Sequence, residues 1–355
     1  MTNNPDYNWK RYWCLDNHQP HILDSGFLYR PEESPFSLLK SDSALKILDE
    51  LHEYPCLILL GEAGMGKSYA LRDAEKDLTN SLTDPDDKVL LFKLAKYSSE
   101  DRLADKIFKS KQFIHWKNGS HTLYLLLDDL DEARIAIDTV SDCLIDELKE
   151  LSAEQIGRLR LRIACRTPDL PRDLKDELSK LYGRGNVSIF QLAPLQIKDA
   201  QIAAKQHNLN WESLWQEICE KNVGPLAANP VTLNLLLDLY QTDQQLPSTR
   251  TEIYQKGCMR LCGENKERHR NKDNLAFETR FEVAARMAAC MIFSNRHSIS
   301  TEPFKVESSE DLASLAELAD EPRGEQFGQK EVFQDTILET LDTPLFQGNT
   351  TKFWT

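Results

Sequence analysis

The chain has 355 residues, of which 41% are hydrophobic, 28% charged and 8% aromatic. At about 150 residues per domain this is enough for about two to three globular domains, and it excludes a collagen-like, coiled-coil or disordered chain. Lys and Arg number 43 against 57 Asp and Glu, a net charge of −14, so the field of the whole molecule disfavours nucleic acid and anionic membrane as partners.

No apolar run approaches the about 18 residues a membrane-spanning helix needs. The longest, around 123–127 and 283–293, are too short or carry Arg286. The start, MTNNPDYNWKRYW, lacks the apolar core of a secretory signal, so the expectation is a soluble, cytoplasmic protein. The eight cysteines have no framework spacing and read as reduced thiols. Cys14 with His18 and His21, and Cys258 with Cys262 and His269, fall short of the four ligands of a closed zinc site.

Residues 1–50 form a lead-in that mixes aromatics (Trp9, Tyr12, Trp13, Phe27, Tyr29) with Pro, Asp and Asn, followed by an expected helix over 41–53. Short apolar runs then fall at 56–60, 89–95, 122–128, 159–165 and 187–192, separated by helical patterns at 68–78, 99–109, 140–151 and 172–181. Apolar strands alternating with helices predict a parallel sheet covered on both faces. After Leu192 the strand signal stops, and helices are expected at 197–207, 211–220, 230–240, 252–262, 279–293 and 331–343. Asn229-Pro230 suits a helix start, because proline is tolerated at the first helical position. The expected division is the lead-in at 1–50, an α/β core at 51–193, a small helical domain at 194–245, and a helical or winged-helix-like region at 246–355, expected to be incomplete.

The strongest motif is GEAGMGKS, comprising Gly61, Glu62, Ala63, Gly64, Met65, Gly66, Lys67 and Ser68. It satisfies G-x-x-x-x-G-K-[ST] between an apolar run and a helical pattern that continues through Tyr69. Its glycines let consecutive N–H groups wrap a phosphate, and the following helix adds its positive end. Lys67 suits β- and γ-phosphates, and the Ser68 hydroxyl suits Mg²⁺. The run LYLLLDDLDE places Asp128 at a strand end, where a carboxylate holds Mg²⁺ through water. Glu132 is the first candidate to polarise an attacking water, with Asp131 as its competitor. In LRLRIACRTPDLP, Arg166 follows the strand at its carboxyl end, the edge that lines the ligand crevice in such sheets, and suits a γ-phosphate sensor. No N-K-x-D guanine reader is present in a suitable context, which favours ATP over GTP.

Together the P-loop, the strand ending in DDLDE and the strand ending in Arg-Thr-Pro resemble the STAND class of AAA+-like P-loop NTPases, and within it the NACHT family. IFQLAPLQIKDAQ and PLAANPVTLNLLLDLYQTDQQLPSTRTEIYQ resemble that family's small helical domain and the approach to its winged helix. The likeness covers roughly residues 50–300, and the lead-in resembles that of bacterial members. It implies ATP/ADP and Mg²⁺ as cofactors, with Lys67 and Ser68 on phosphate and metal, Asp128 on metal, Glu132 on water and Arg166 as sensor. By the same likeness, Pro230 packs against adenine. Two positions depart from the family pattern: Asp129 stands where glycine is usual, and Cys165 where Thr or Ser is common. His269 and His297 lie where the family's winged-helix histidine is expected, but neither has its motif.

The resemblance further implies a switch in bacterial signalling or antiviral defence. An ADP-bound closed monomer opens on sensing an unknown ligand, exchanges to ATP and self-oligomerises to activate an unknown effector. Passing from nearly all closed to nearly all open takes about 5 kcal/mol of differential binding. The family usually continues into a sensing domain, so truncation is expected. Two other classes compete: a constantly turning AAA+ motor remodelling protein or nucleic acid, and a scaffold that holds nucleotide without hydrolysing it.

Overall fold

The structure is a computed structural model. It describes residues 7, 9–30, 44–52, 54–62, 64–97, 99–131, 137–167, 170–171, 173–263, 277–294, 298–300, 312–314, 334–341 and 353–354. The chain divides into two compact units, one formed by Pro5–Gln241 and the other from residue 242 onward.

In the first unit the strands are β1 (Trp13–Leu15), β2 (Leu45–Lys46), β3 (Cys56–Leu60), β4 (Lys88–Lys93), β5 (Leu123–Asp128), β6 (Leu159–Cys165) and β7 (Val187–Leu192). They make one sheet in the order β2-β1-β7-β3-β6-β5-β4. The five strands from β7 to β4 are parallel, and β1 and β2 extend the edge antiparallel. The five apolar runs of the sequence are thus the five parallel strands. The reason is burial on both faces: Cys56, Ile58 and Leu60 pack into one apolar cluster, while Leu57 and Leu59 pack into the opposite one.

The helices are α1 (Lys67–Ser81), α2 (Glu100–Ile107), α3 (Lys111–Lys117), α4 (Ile137–Lys149), α5 (Ala153–Gly157), α6 (Leu174–Tyr182), α7 (Ile197–Gln206), α8 (Trp211–Glu220), α9 (Gly224–Ala227) and α10 (Pro230–Asp243). One cluster joins Leu103 and Ile107 of α2, Phe113 and Trp116 of α3, Leu144 and Leu148 of α4 and Leu178 of α6 to the sheet. The other joins Ala70 and Leu71 of α1 to Leu57, Leu59, Leu126 and Phe190, with Trp13 and Leu51. This is an α/β fold, a mostly parallel sheet with helices packed on both faces, followed by further helices.

Three expectations are corrected. The helix expected over 41–53 is, in its described part, strand β2 followed by a 3₁₀ turn at Leu48–Leu51. Pairing of Trp13 and Cys14 with Lys46 and Leu45 overrides local helical preference. The buried guanidinium of Arg162 then donates to the carbonyls of Leu51 (3.0 Å) and His52 (3.0 Å), fixing the turn. Second, the sheet is mixed, because the lead-in supplies β1 and β2. Third, strands recur after Leu192: β8 (Ser298–Ser300), β9 (Leu312–Ser314) and β10 (Phe353–Trp354) form a small sheet in the second unit. At two or three residues each they are too short to register as alternation.

That second unit also contains α11 (Arg250–Gly263), α12 (Phe277–Ser294) and α13 (Gln334–Leu341). Its apolar cluster joins Val283, Ala284 and Met287 to Ile299, Ile337 and Leu341. His269 and His297 lie outside the described residues.

The lead-in is held against the helices by a close backbone approach. A Cβ on Gly224 would lie 2.2 Å from the Ser25 carbonyl oxygen, whereas nothing lies within 4 Å of one on Gly157. Gly224→Ala is therefore expected to destabilise the protein by about 1–3 kcal/mol, while Gly157→Ala, inside α5, should be neutral or stabilise it by up to about 1 kcal/mol. Urea unfolding of the two variants checks the contrast; equal effects would contradict the packing.

Candidate functional site

β3, β6 and β5 are neighbours in the sheet, so their carboxyl ends form one edge, and the loops that leave them lie side by side. From β3 the chain enters the P-loop. Gly64 (φ 75°) and Gly66 (φ 90°) take the left-handed conformation that side chains resist. Gly66 is the N-cap of α1, a helix with no side-chain cap and no acid in its first turn. By contrast, Ser99, Ser110, Ser152 and Asn210 cap α2, α3, α5 and α8 through N–H bonds of 3.4, 3.1, 3.2 and 2.8 Å. The first turn of α1 thus carries no side-chain cap and no acid, and its positive end suits an anion.

The ammonium of Lys67 donates to the carbonyl of Gly61 at 2.6 Å and lies 3.4 Å from that of Glu62. It therefore curls back over the loop it closes. Met65 is buried, Glu62 and Gly64 are exposed, and Tyr69 lies on the first turn of α1 beneath the guanidinium of Arg72 (5.8 Å). Ala63 lies outside the described residues.

The hydroxyl of Ser68 donates toward Asp128 Oδ1 (3.2 Å) and Asp129 Oδ1 (3.1 Å), its one proton shared between them. The Asp129 N–H also donates to Asp128 Oδ1 at 3.1 Å. Asp128 is fully buried, and its second oxygen, Oδ2, has no hydrogen-bond partner. A buried, unsatisfied carboxylate oxygen beside a serine hydroxyl is a donor set that suits a hard divalent cation. Burial raises the pKa of Asp128, and burial together with the Asp128 charge raises Asp129 to about 6. Asp129 has φ 59°, so the position where the family pattern has glycine is left-handed here, a conformation that aspartate tolerates better than most side chains.

Asp131 and Arg166 meet across the β5–β6 pairing. Arg166 Nε lies 2.9 Å from Asp131 Oδ2, and the Arg166 backbone N–H donates to Asp131 Oδ1 at 2.8 Å. The Asp131 side chain is 5% exposed and that of Arg166 36%. One carboxylate thus fixes both the backbone and the side chain of the arginine. The bond from Leu130 N–H to Ala164 O (3.1 Å) anchors the same loop to β6. Glu132 lies outside the described residues.

The start of α10 closes on the P-loop. A Cβ on Gly66 would lie 3.9 Å from Pro230 Cγ, and one on Gly64 would lie 3.0 Å from Val231 Cγ2. Pro230, which the resemblance sets against adenine, lies beside the P-loop glycine Gly66. Arg11 has no counterpart in the sequence reading. Its guanidinium donates to Met65 O (2.7 Å) in the P-loop and Ala193 O (2.8 Å) after β7, and burial lowers its pKa to about 10. No local pattern in NWKRYW marks it, since its partners are backbone carbonyls more than 50 residues away in the chain. Among the described residues no group of three or more His, Cys, Asp or Glu side chains has metal-binding geometry, and no helix is long and apolar enough to cross a membrane.

No protein-family model and no curated protein matches the chain. Solved structures align with it at low identity. Domain III of the replication initiation protein DnaA from Thermotoga maritima is 18% identical over 56% of this chain and 82% of that one, with a TM-score of 0.34. AMPPCP-bound DnaA from Aquifex aeolicus is 14% identical over 82% and 84%, with a TM-score of 0.33. The Aeropyrum pernix ORC1 protein in complex with DNA is 12% identical over 81% and 76%, with a TM-score of 0.37. Likeness at this level carries no statement about ligand, partner or activity.

The Asp128–Asp129 pair has a pH signature in metal-free, nucleotide-free buffer. A folded-state pKa raised from about 4 to about 6 means that burying the charge costs nothing below about pH 4, increasingly more up to about pH 6, and its full amount above. Asp129→Asn keeps the shape and tolerates the left-handed backbone. It is expected to stabilise the protein by about 1–2 kcal/mol at pH 7.5, with the gain vanishing toward pH 4. Denaturant unfolding across that range checks it; a gain independent of pH would place the cause elsewhere.

Proposed function

We propose that this chain is an ATP/ADP-binding P-loop NTPase that works as a slow nucleotide switch of the STAND, NACHT-like kind. The observation that carries the reading is the meeting of the P-loop serine with two carboxylates at the end of β5. It sets a phosphate-binding loop and a metal-binding strand end against each other, the pairing that phosphoryl transfer from a nucleoside triphosphate requires.

In this reading the first N–H groups of α1 and the ammonium of Lys67 bind the phosphates. Lys67 now bonds the loop carbonyls and would exchange those acceptors for phosphate oxygens. Ser68 and Asp128 would hold Mg²⁺, which neutralises phosphate charge when bound. Arg166, emerging between the P-loop strand and the acidic strand, is held by Asp131 as the sensor of the γ-phosphate. Because Asp131 is engaged in that pair, Glu132 takes the role of orienting and deprotonating water. Pro230 brings the helices after β7 onto the P-loop, so that nucleotide state and interdomain arrangement are coupled, the logic of a bistable switch.

The protein purified without added nucleotide, then denatured and its supernatant resolved by anion exchange, is expected to release ADP in near-stoichiometric amount. Lys67→Ala should carry little or none; unchanged content would overturn the P-loop assignment. Constant rapid turnover of added Mg-ATP would favour a motor over a switch.

Glu132→Gln should retain nucleotide while losing whatever ATP hydrolysis the protein has, a loss of about 100-fold or more for a removed base. Phosphate release measured on the nucleotide-loaded variant checks this, and persisting turnover would move the role to Asp131.

A further inference from the structure

Two carboxylates converge on the Ser68 hydroxyl. Asp131 is neutralised by Arg166. Lys93, beside Asp128 in the β4–β5 register, acts on this remaining pair of carboxylates and favours their charged form. Relative to glycine at position 129, Asp129 adds one negative charge to this cluster. The Asp129 carboxylate does not turn to solvent but accepts from the same Ser68 hydroxyl that Asp128 does. Beside it lies the unpartnered, fully buried Oδ2 of Asp128.

We infer that Asp129 is a second carboxylate of the divalent-cation site, which makes nucleotide binding more strongly dependent on the cation. The inference rests on the nucleotide reading given above. Without metal, two carboxylates face the place where the phosphates bind and repel them. With metal, the same carboxylates hold the cation that attracts them. The coupling between cation and nucleotide is therefore larger with Asp129 than without it, and by linkage the nucleotide tightens cation binding by the same factor.

The test is the affinity for a fluorescent ADP analogue, mant-ADP, measured on the full chain in excess MgCl₂ and in EDTA. The ratio of the two dissociation constants is compared among wild type, Asp129→Asn and Asp129→Gly. Both substitutions suit the left-handed backbone, and circular dichroism melts establish that each variant folds. The expected result is a ratio about tenfold smaller in both variants than in wild type, chiefly through tighter binding in EDTA, as befits one unit charge removed at short range from a partly buried site. A ratio unchanged in both variants would overturn the inference while leaving the nucleotide reading intact. A change in Asp129→Gly alone would also overturn it, since backbone relief and not charge would then be the cause. Failure of wild type, freed of co-purified nucleotide, to bind mant-ADP in both buffers would overturn the nucleotide reading itself, and this inference with it.

Discussion

The adjacency of three parallel strands is the constraint on which the rest depends. β6 pairs on one side with β3 and on the other with β5, so the P-loop, Arg166 and the Asp128–Asp129–Asp131 loop must leave the sheet at one edge. That arrangement needs no specific polar contact to form. It follows from runs such as CLILL and LRLRIAC, buried on both faces, whose side chains fill two separate apolar clusters. The polar groups are then carried to the edge by a framework already determined by burial. For this reason a fully buried Asp128 can be held there although its second oxygen finds no protein partner.

What the strands bring together, the loops then sort. Asp131 and Asp129 are two residues apart, yet one is spent on an arginine and the other faces a serine hydroxyl. The left-handed backbone at Asp129 turns the chain so that successive carboxylates serve different partners. A left-handed residue there, glycine or aspartate, keeps Arg166 and Ser68 supplied at the same time. Aspartate adds charge to that geometry, and the fold tolerates it because aspartate accepts a left-handed backbone.

The sequence made the core and its motifs legible for a physical reason: long apolar runs and a P-loop are local signals. All five parallel strands, α8, and the P-loop with the acidic end of β5 were readable on those grounds. The parts that were not legible are those fixed by distant partners. β1 and β2 are two or three residues long and exist because β7 offers them an edge. Arg11 binds carbonyls, which every residue carries, so no side-chain pattern announces it. The pairing of Asp131 with Arg166 joins residues 35 apart, and only the register of β5 on β6 puts them in contact. The role of Glu132 still rests on the motif alone.

The lead-in bears on function because of where it is fastened. Trp9 donates its indole N–H to the Asp199 carbonyl in α7 (2.9 Å), and the Tyr7 hydroxyl donates to Asn234 in α10 (2.7 Å). Arg11, between these anchors and β1, joins Met65 of the P-loop to Ala193, where the sheet gives way to the helices. A charged guanidinium bonded to two neutral carbonyls in a buried setting is worth more than an exposed contact and costs more when one acceptor moves away. Any shift of the P-loop relative to the segment after β7 must therefore stretch one of these two bonds. The lead-in thus belongs physically to the candidate nucleotide site, although it lies outside every motif.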